Sequence, residues 1–188
     1  MPALESTKDK ILETASRLFY TRGIRATTTD LIISQAGVHK STFFKHFPTK
    51  SEVVVAYLKR RDDKWMVWLE DRVEQLAKRP ENRLLAIFDA LGEWFSEPDF
   101  RGCGFINTAA ETTDCGAIEF ILSVEHKKRL AAFVKEAAKL AHVKRVDQLV
   151  DELMLLVEGA IVRAQMERNS KPAATAKAIA KSLVAKSL

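Results

Sequence analysis

Two short apolar periods on either side of a single glycine constrain this chain more than any other feature. Ile32, Ile33 and Ala36 recur at helical spacing up to Gly37, and Phe43 and Phe47 sit one turn apart beyond it. Apolar residues three or four positions apart share one helix face, so the pattern predicts two helices joined by about three residues. Thr27 and Thr28 compete to cap the first, which ends near Ala36. The second runs roughly from Lys40 to Phe47, where Pro48 stops it, because proline has no N–H to donate and its ring clashes with the preceding turn. Ala36 is small enough for a close crossing, Gly37 turns the chain, and Val38 anchors the second helix. Two helices so joined read as a helix-turn-helix, although other helical hairpins share the spacing.

The flanks extend the same pattern. A first helix starts near Ser6 or Thr7, with Asp9 three residues after Ser6 as a capping partner. Ile11, Leu12, Ala15, Leu18 and Phe19 form its apolar stripe, and Gly23 ends it. Thr49 with Glu52 makes a further capping box, launching a long fourth helix towards Gln75. The 188 residues include only 7 glycines and 5 prolines, which fall mostly between periodic segments. No segment sustains the period-two alternation of a strand. The expectation is an all-α fold: a helix-turn-helix three-helix module over residues 1–52, then a larger helical domain over residues 53–188.

Charge points to a partner for the head. Residues 1–50 carry eight Lys and Arg against four Asp and Glu, a balance of +4, whereas the remainder carries twenty-two against twenty-one. A basic head on a nearly neutral body indicates a polyanion. The amino terminus, Met1 to Lys10, has no apolar stretch suited to a signal peptide, and no run approaches the ~18 apolar residues of a membrane helix. The 2 cysteines are too few for a disulfide scaffold. A soluble cytoplasmic protein without a membrane partner is the simplest reading.

The stretch Ala26-Thr-Thr-Thr-Asp-Leu-Ile-Ile-Ser-Gln-Ala-Gly-Val38, followed by Lys40-Ser-Thr-Phe-Phe-Lys-His-Phe-Pro-Thr-Lys-Ser-Glu-Val53, resembles the TetR family of bacterial repressors. The likeness covers about Ser6 to Val55, and Arg101-Gly-Cys-Gly-Phe-Ile-Asn107 resembles a segment found in part of that family. The resemblance implies a homodimeric transcriptional regulator, most simply a repressor on a palindromic operator in double-stranded DNA, released when a small molecule enters the second domain. The family usually carries tyrosine where this chain has Phe44, and that hydroxyl commonly bonds a phosphate. Phe44 can instead touch a thymine methyl or a sugar.

The recognition helix should present the side chains that do not pack inward: Lys40, Ser41, Thr42, Phe44, Lys45 and His46. A cation in a first helical turn opposes the macrodipole at a cost of about 0.3–1 kcal/mol. Lys40 and Lys50 both stand at such positions, which makes sense if phosphates or guanine edges lie opposite, although surface lysines are also often simply solvated. Thr28 and Thr29 open the second helix, one as a cap and the other as a phosphate donor. His46 reads equally as a charged phosphate partner, a neutral contact or a packed ring.

The second domain carries helices without a catalytic signature. Its aromatic middle includes Trp65, Trp68, Phe88, Trp94, Phe95, Phe100 and Phe105. Such residues build a core, and they also line apolar ligand pockets, which need a few polar groups. The effector candidates are Trp65, Phe88, Trp94, Phe105, Asn107, Glu111 and Glu158, for an apolar or aromatic molecule. Glu158 interrupts the apolar run Leu153 to Val162, and a buried carboxylate must be paired, neutralised or ligand-bound; a basic neighbour is the simpler explanation. Residues 146–166 and the Ala-rich end, with Ile179, Ala180, Leu183 and Val184 inward and Lys177, Lys181 and Lys186 outward, are expected to form the dimer interface. Cys103 and Cys115 each precede a glycine and read as structural rather than redox-sensing. No metal-ligand spacing, nucleophile–base pair or phosphate-cradling loop appears, so no cofactor, metal or catalytic residue is expected.

Overall fold

Ser6 opens the first helix in the computed structural model, which describes residues 6–188; residues 1–5, the start of the polar amino terminus in which no signal peptide is expected, lie outside it. The Ser6 hydroxyl accepts the Asp9 N–H at 3.1 Å, and α1 runs Thr7–Arg22 with Ile11, Leu12, Ala15, Leu18 and Phe19 buried. Thr28, not Thr27, caps α2 (Thr29–Ala36) by accepting the Leu31 N–H at 3.2 Å. Thr27 is fully buried, and its hydroxyl donates to the Gly23 carbonyl at 2.8 Å.

The turn after α2 needs its glycine. Gly37 has φ +59 and ψ 43, the left-handed region that costs a side chain energy. There the Gly37 N–H donates to the Ser34 carbonyl and the Val38 N–H to that of Ile33, satisfying the last carbonyls of α2. The short α3 (Lys40–His46) follows, with Phe43 completely buried and Phe47 nearly so. Thr49 accepts the Glu52 N–H at 3.2 Å and starts α4 (Lys50–Leu76). A 3-10 turn over Pro80–Asn82 leads to α5 (Arg83–Phe95). Then come α6 (Gly104–Glu111), α7 (Ile118–Leu140), α8 (Val146–Glu167) and α9 (Lys171–Ser187). The described residues contain no strand.

Two compact units emerge. The first takes residues up to Asp62 together with Gly104–Val124; the second takes Asp63–Cys103 and Glu125–Leu188. The boundary expected between residues 52 and 53 falls inside α4, which is one uninterrupted helix, and α6 groups with the helix-turn-helix rather than with the helices of the second unit. In the first unit, α1, α2 and α3 pack on one another around Ile32, Ala36, Phe43 and Phe47.

In the second unit α5, α8 and α9 pack together, burying Leu84, Ile87, Phe88 and Leu91 with Leu149, Leu153, Val157 and Ile161. The α9 contact line is made of Ala173, Ala176 and Ala180. That line corrects the sequence expectation for this helix. Ile179, expected inward, is 46% exposed, because small alanines three and four apart define the buried stripe and leave Ile179 beside it. Lys177, expected in open solvent, is half-buried and bonds both oxygens of Asp89 at 2.6 and 2.7 Å.

Phe43 is the fully buried anchor of a seven-residue helix, so Phe43→Ala should destabilise the protein by about 3–5 kcal/mol, read from the midpoint of chemical denaturation. A loss under about 1 kcal/mol would mean that the site collapses without cost or that α3 is held by something else.

Candidate nucleic-acid interface

The inward aim of Phe43 and Phe47 fixes what α3 shows to solvent. Lys40, Ser41, Phe44 and Lys45 are exposed, while Thr42 and His46 are half-buried. Phe44 packs edge-on against Phe43 with ring centroids 5.2 Å apart, so its exposed rim is held in place from behind. The Lys40 ammonium stands 3.3 Å from an Asp30 carboxylate oxygen, with side chains 68% and 77% exposed. Such an exposed pair is worth little and exchanges readily for a stronger anion. Thr28 caps α2 by accepting the Leu31 N–H, a bond that uses only its oxygen and leaves its O–H to donate to another partner; Thr28 is exposed and Thr29 half-buried.

Lys50 does something else. Its ammonium, expected to face a phosphate, donates to the Ile24 carbonyl at 2.6 Å. Burial pushes its pKa below the ordinary lysine value, and the nearby Glu111 carboxylate pulls in the opposite direction. Glu111, placed by sequence among the effector residues, is equally committed. One oxygen accepts the Ile24 N–H at 3.2 Å and the other the Arg25 N–H at 2.7 Å. Nothing in the sequence announces this arrangement, since the carboxylate and its backbone partners are 86 and 87 positions apart.

The remaining effector candidates divide between the units. Phe105 and Asn107 lie on α6 in the first; Trp65, Phe88, Trp94 and Glu158 belong to the second. Trp65 is the centre of an aromatic cluster, with ring centroids 5.3 Å from Trp94, 6.2 Å from Trp68 and 5.4 Å from His126. Trp94 continues it to Phe100 at 5.0 Å. Sequence reasoning misses His126 as a member, and a buried histidine on α7 leaves no pattern by which to find it. The Trp65 indole N–H is buried with no hydrogen-bond partner among the described residues. Phe88 instead lines a groove of about 940 Å³ between α5 and α9, beside Asp89 and Lys177.

Glu158 is not a buried carboxylate. Its side chain is 41% exposed, and an oxygen lies 3.5 Å from the Lys127 ammonium, so the basic neighbour is present. The Lys127 side chain is 21% exposed, but its ammonium nitrogen is buried and makes no hydrogen bond among the described residues. Cys103 is buried and Cys115 exposed. Among the described residues no three His, Cys, Asp or Glu side chains come together as a metal site, and no helix is long and apolar enough to cross a membrane. Lys127→Met should leave stability within about 1 kcal/mol of wild type in chemical denaturation, because the pair is partly exposed and Glu158 rehydrates. A marked fall would show that the ion pair holds α7 to α8.

Comparison with known proteins matches the sequence to two family models. Residues 11–57 match the one described as bacterial regulatory proteins of the TetR family, and residues 80–180 match a tetracycline repressor-like C-terminal domain. The regulator YjdC of Escherichia coli is 22% identical over 177 residues, covering 94% of this chain and 93% of that protein. TcmR of Streptomyces glaucescens is 35% identical over 69 residues, 37% of this chain and 30% of its own length. Among solved structures, a TetR-family transcriptional regulator from Streptomyces coelicolor superposes with a TM-score of 0.88 at 22% identity, over 96% of this chain and 95% of that one. At that identity the superposition establishes the fold.

Proposed function

The chain belongs to the TetR family of bacterial transcriptional regulators, and from that footing we propose that it is a repressor, a homodimer on a palindromic operator released by a small apolar or aromatic effector. The observation that carries the DNA-binding half of the reading is the division of α3. Phe43 and Phe47 are committed to packing, and Ser41, Phe44 and Lys45 stand together on the exposed side of a helix only seven residues long. Such a helix entering a major groove meets base edges with its exposed side chains and phosphates with its flanks. Ser41, Thr42, Phe44, Lys45 and His46 are the proposed groove contacts, with Lys40, Thr28 and Thr29 at the flanks. Lys50 is withdrawn from the direct contacts because its ammonium is bonded to Ile24.

Dimerisation is supported by apolar side chains that the second unit leaves in solvent. On α8, Leu155 is 75% and Met166 79% exposed, with Val162 and, on α9, Ile179 more than a third exposed. Large apolar side chains gathered on neighbouring helices favour a partner over water, and a second copy supplies a self-complementary face. Leu155→Glu with Met166→Glu should therefore yield a monomer in analytical ultracentrifugation while retaining helical circular dichroism. A variant that stays dimeric would place the interface elsewhere.

The effector half rests on the aromatic cluster and its unpaired donor. An effector that is flat enough to stack on Trp65 and Trp94 and carries a hydrogen-bond acceptor would satisfy the indole N–H, a group that costs about 1–3 kcal/mol when buried unpaired.

Lys45→Ala tests the groove reading. If Lys45 reads a base edge, preference at one operator position should relax and specific affinity fall by about 1–3 kcal/mol per half-site. If it neutralises a phosphate, all sequences should weaken alike and the slope of log K against log salt should drop by about one per subunit. Either result on duplexes measured across a salt series supports a DNA-binding face. No change in affinity or slope, in Lys45→Ala and Lys40→Ala together, would leave α3 a solvated surface and end the reading.

A further inference from the structure

We infer that Glu111 is a positioning residue for DNA binding: from the end of α6 it holds the loop between α1 and α2 and, with Lys50, sets the orientation in which α2 and α3 are presented. The inference rests on the DNA-binding reading above and extends it to a residue that touches no DNA.

A surface loop ordinarily leaves its backbone polar groups to water. Between α1 and α2 three of them are taken by side chains from two other helices. The Ile24 and Arg25 N–H groups each bond one oxygen of the Glu111 carboxylate, at 3.2 and 2.7 Å. The Ile24 carbonyl accepts the Lys50 ammonium at 2.6 Å. Successive N–H groups converging on one anion form a concave anion site, and their bonds to a carboxylate are charge-assisted, about twice as strong as neutral ones. The peptide is thus held on its donor side from α6 and on its acceptor side from α4.

The chain next to this site is shaped for it. Gly23 has φ +87, and a Cβ added there would lie 2.5 Å from the Glu111 carboxylate oxygen. A side chain at that position would be strained and would drive the carboxylate off the backbone. The opposite end of α6 is seated as closely, for a Cβ on Gly104 would lie 2.7 Å from Arg61 Nε and 2.9 Å from the Tyr57 hydroxyl. Those two α4 residues in turn meet α1. The Tyr57 ring stands 5.5 Å from that of Phe19, and the Arg61 guanidinium lies 3.7 Å above Tyr20. So α6 is attached to the reading module at both ends, by close packing at Gly104 and by a carboxylate at Glu111.

The consequence comes from the reach of a hydrogen bond. Sliding α6 by an ångström against the loop takes bonds of 2.7–3.2 Å beyond useful length. The loop either follows α6 or comes free. In a dimer two recognition helices must meet half-sites at one fixed spacing, whereas nonspecific phosphate binding tolerates a loose head. Freeing the loop therefore costs selectivity before it costs attraction to DNA.

The test uses the full-length protein, a duplex that the wild type selects from a random pool, and an unrelated duplex of equal length. Glu111→Ala should bind the selected duplex about tenfold more weakly, with unchanged binding to the unrelated one and only a small fall in thermal midpoint, because the bonds hold a loop rather than the core. Glu111→Gln, which keeps one acceptor, should fall between Ala and wild type. In hydrogen exchange the Ile24 and Arg25 amides should lose protection in the Ala variant. Wild-type selectivity in Glu111→Ala would overturn the inference. So would an equal loss on both duplexes accompanied by a large fall in midpoint, which marks simple structural support. If Glu111→Ala does not fold, the graded loss of selectivity in Glu111→Gln decides. A wild-type protein that selects no duplex fails at an earlier step and takes the DNA-binding reading with it.

Discussion

A seven-residue helix does not hold itself together in water, because nucleation fixes several dihedrals before hydrogen bonds offset the cost. α3 therefore exists through the burial of Phe43 among α1, α2 and Phe47. That burial also decides the helix's rotation about its own axis, and so which residues meet the solvent. Phe44 is the clearest case: adjacent to the anchor, it is turned outward by about 100° of helix and supported edge-on by the ring it leaves behind. Packing and presentation here are the same physical event. A polar face on so short a helix is only as well defined as the apolar residue opposite.

Beyond α3, the first unit is fixed less by apolar area than by where its backbone groups find partners. The Thr27 hydroxyl bonds Gly23, Thr28 caps α2, Thr49 caps α4, and the Ile24–Arg25 peptide is held by Lys50 and Glu111. Each contact ties a helix end or a loop, the places where a chain would otherwise fray. Two of the charged residues most easily assigned to ligands from sequence are consumed in this way. A lysine in a basic head and a glutamate in a helical second half both look like binding groups until their partners are seen.

Legibility in the sequence tracks the range of the interaction. Contacts within one turn can be read directly: the Ser6 and Thr49 caps, the turn at Gly37, the stripe from Ile11 to Phe19, and the inward pair Phe43 and Phe47. The choice between Thr27 and Thr28 is not settled by the cap pattern alone, because both threonines fit it and burial decides that the Thr27 hydroxyl turns back to the Gly23 carbonyl. Periodicity misplaces Ile179 because an alanine stripe on α9 satisfies the same spacing as a stripe that includes the isoleucine. The basic neighbour of Glu158 is legible, yet its exposure is not, since an apolar run does not reveal which side of a helix is covered. The bonds of Glu111 are wholly hidden. Nothing local distinguishes a glutamate ending a short helix from one left in solvent.

The two halves of the proposed mechanism share one helix. Along α4, Arg61 stacks on Tyr20, and Trp65, one turn further on, carries the buried indole N–H. A ligand shifts a conformational equilibrium only by the difference between its affinities for the two states. A hydrophobic molecule that merely fills space gains similar burial in both and moves little. An acceptor placed on the indole N–H is different in kind, because a directional bond is made or lost within a few tenths of an ångström. An indole that shifts with its helix can then satisfy the ligand in one state and leave both groups unpaired in the other. In the proposed mechanism the unpaired donor is thus where differential binding would be most readily generated, with the aromatic rings beside it contributing affinity.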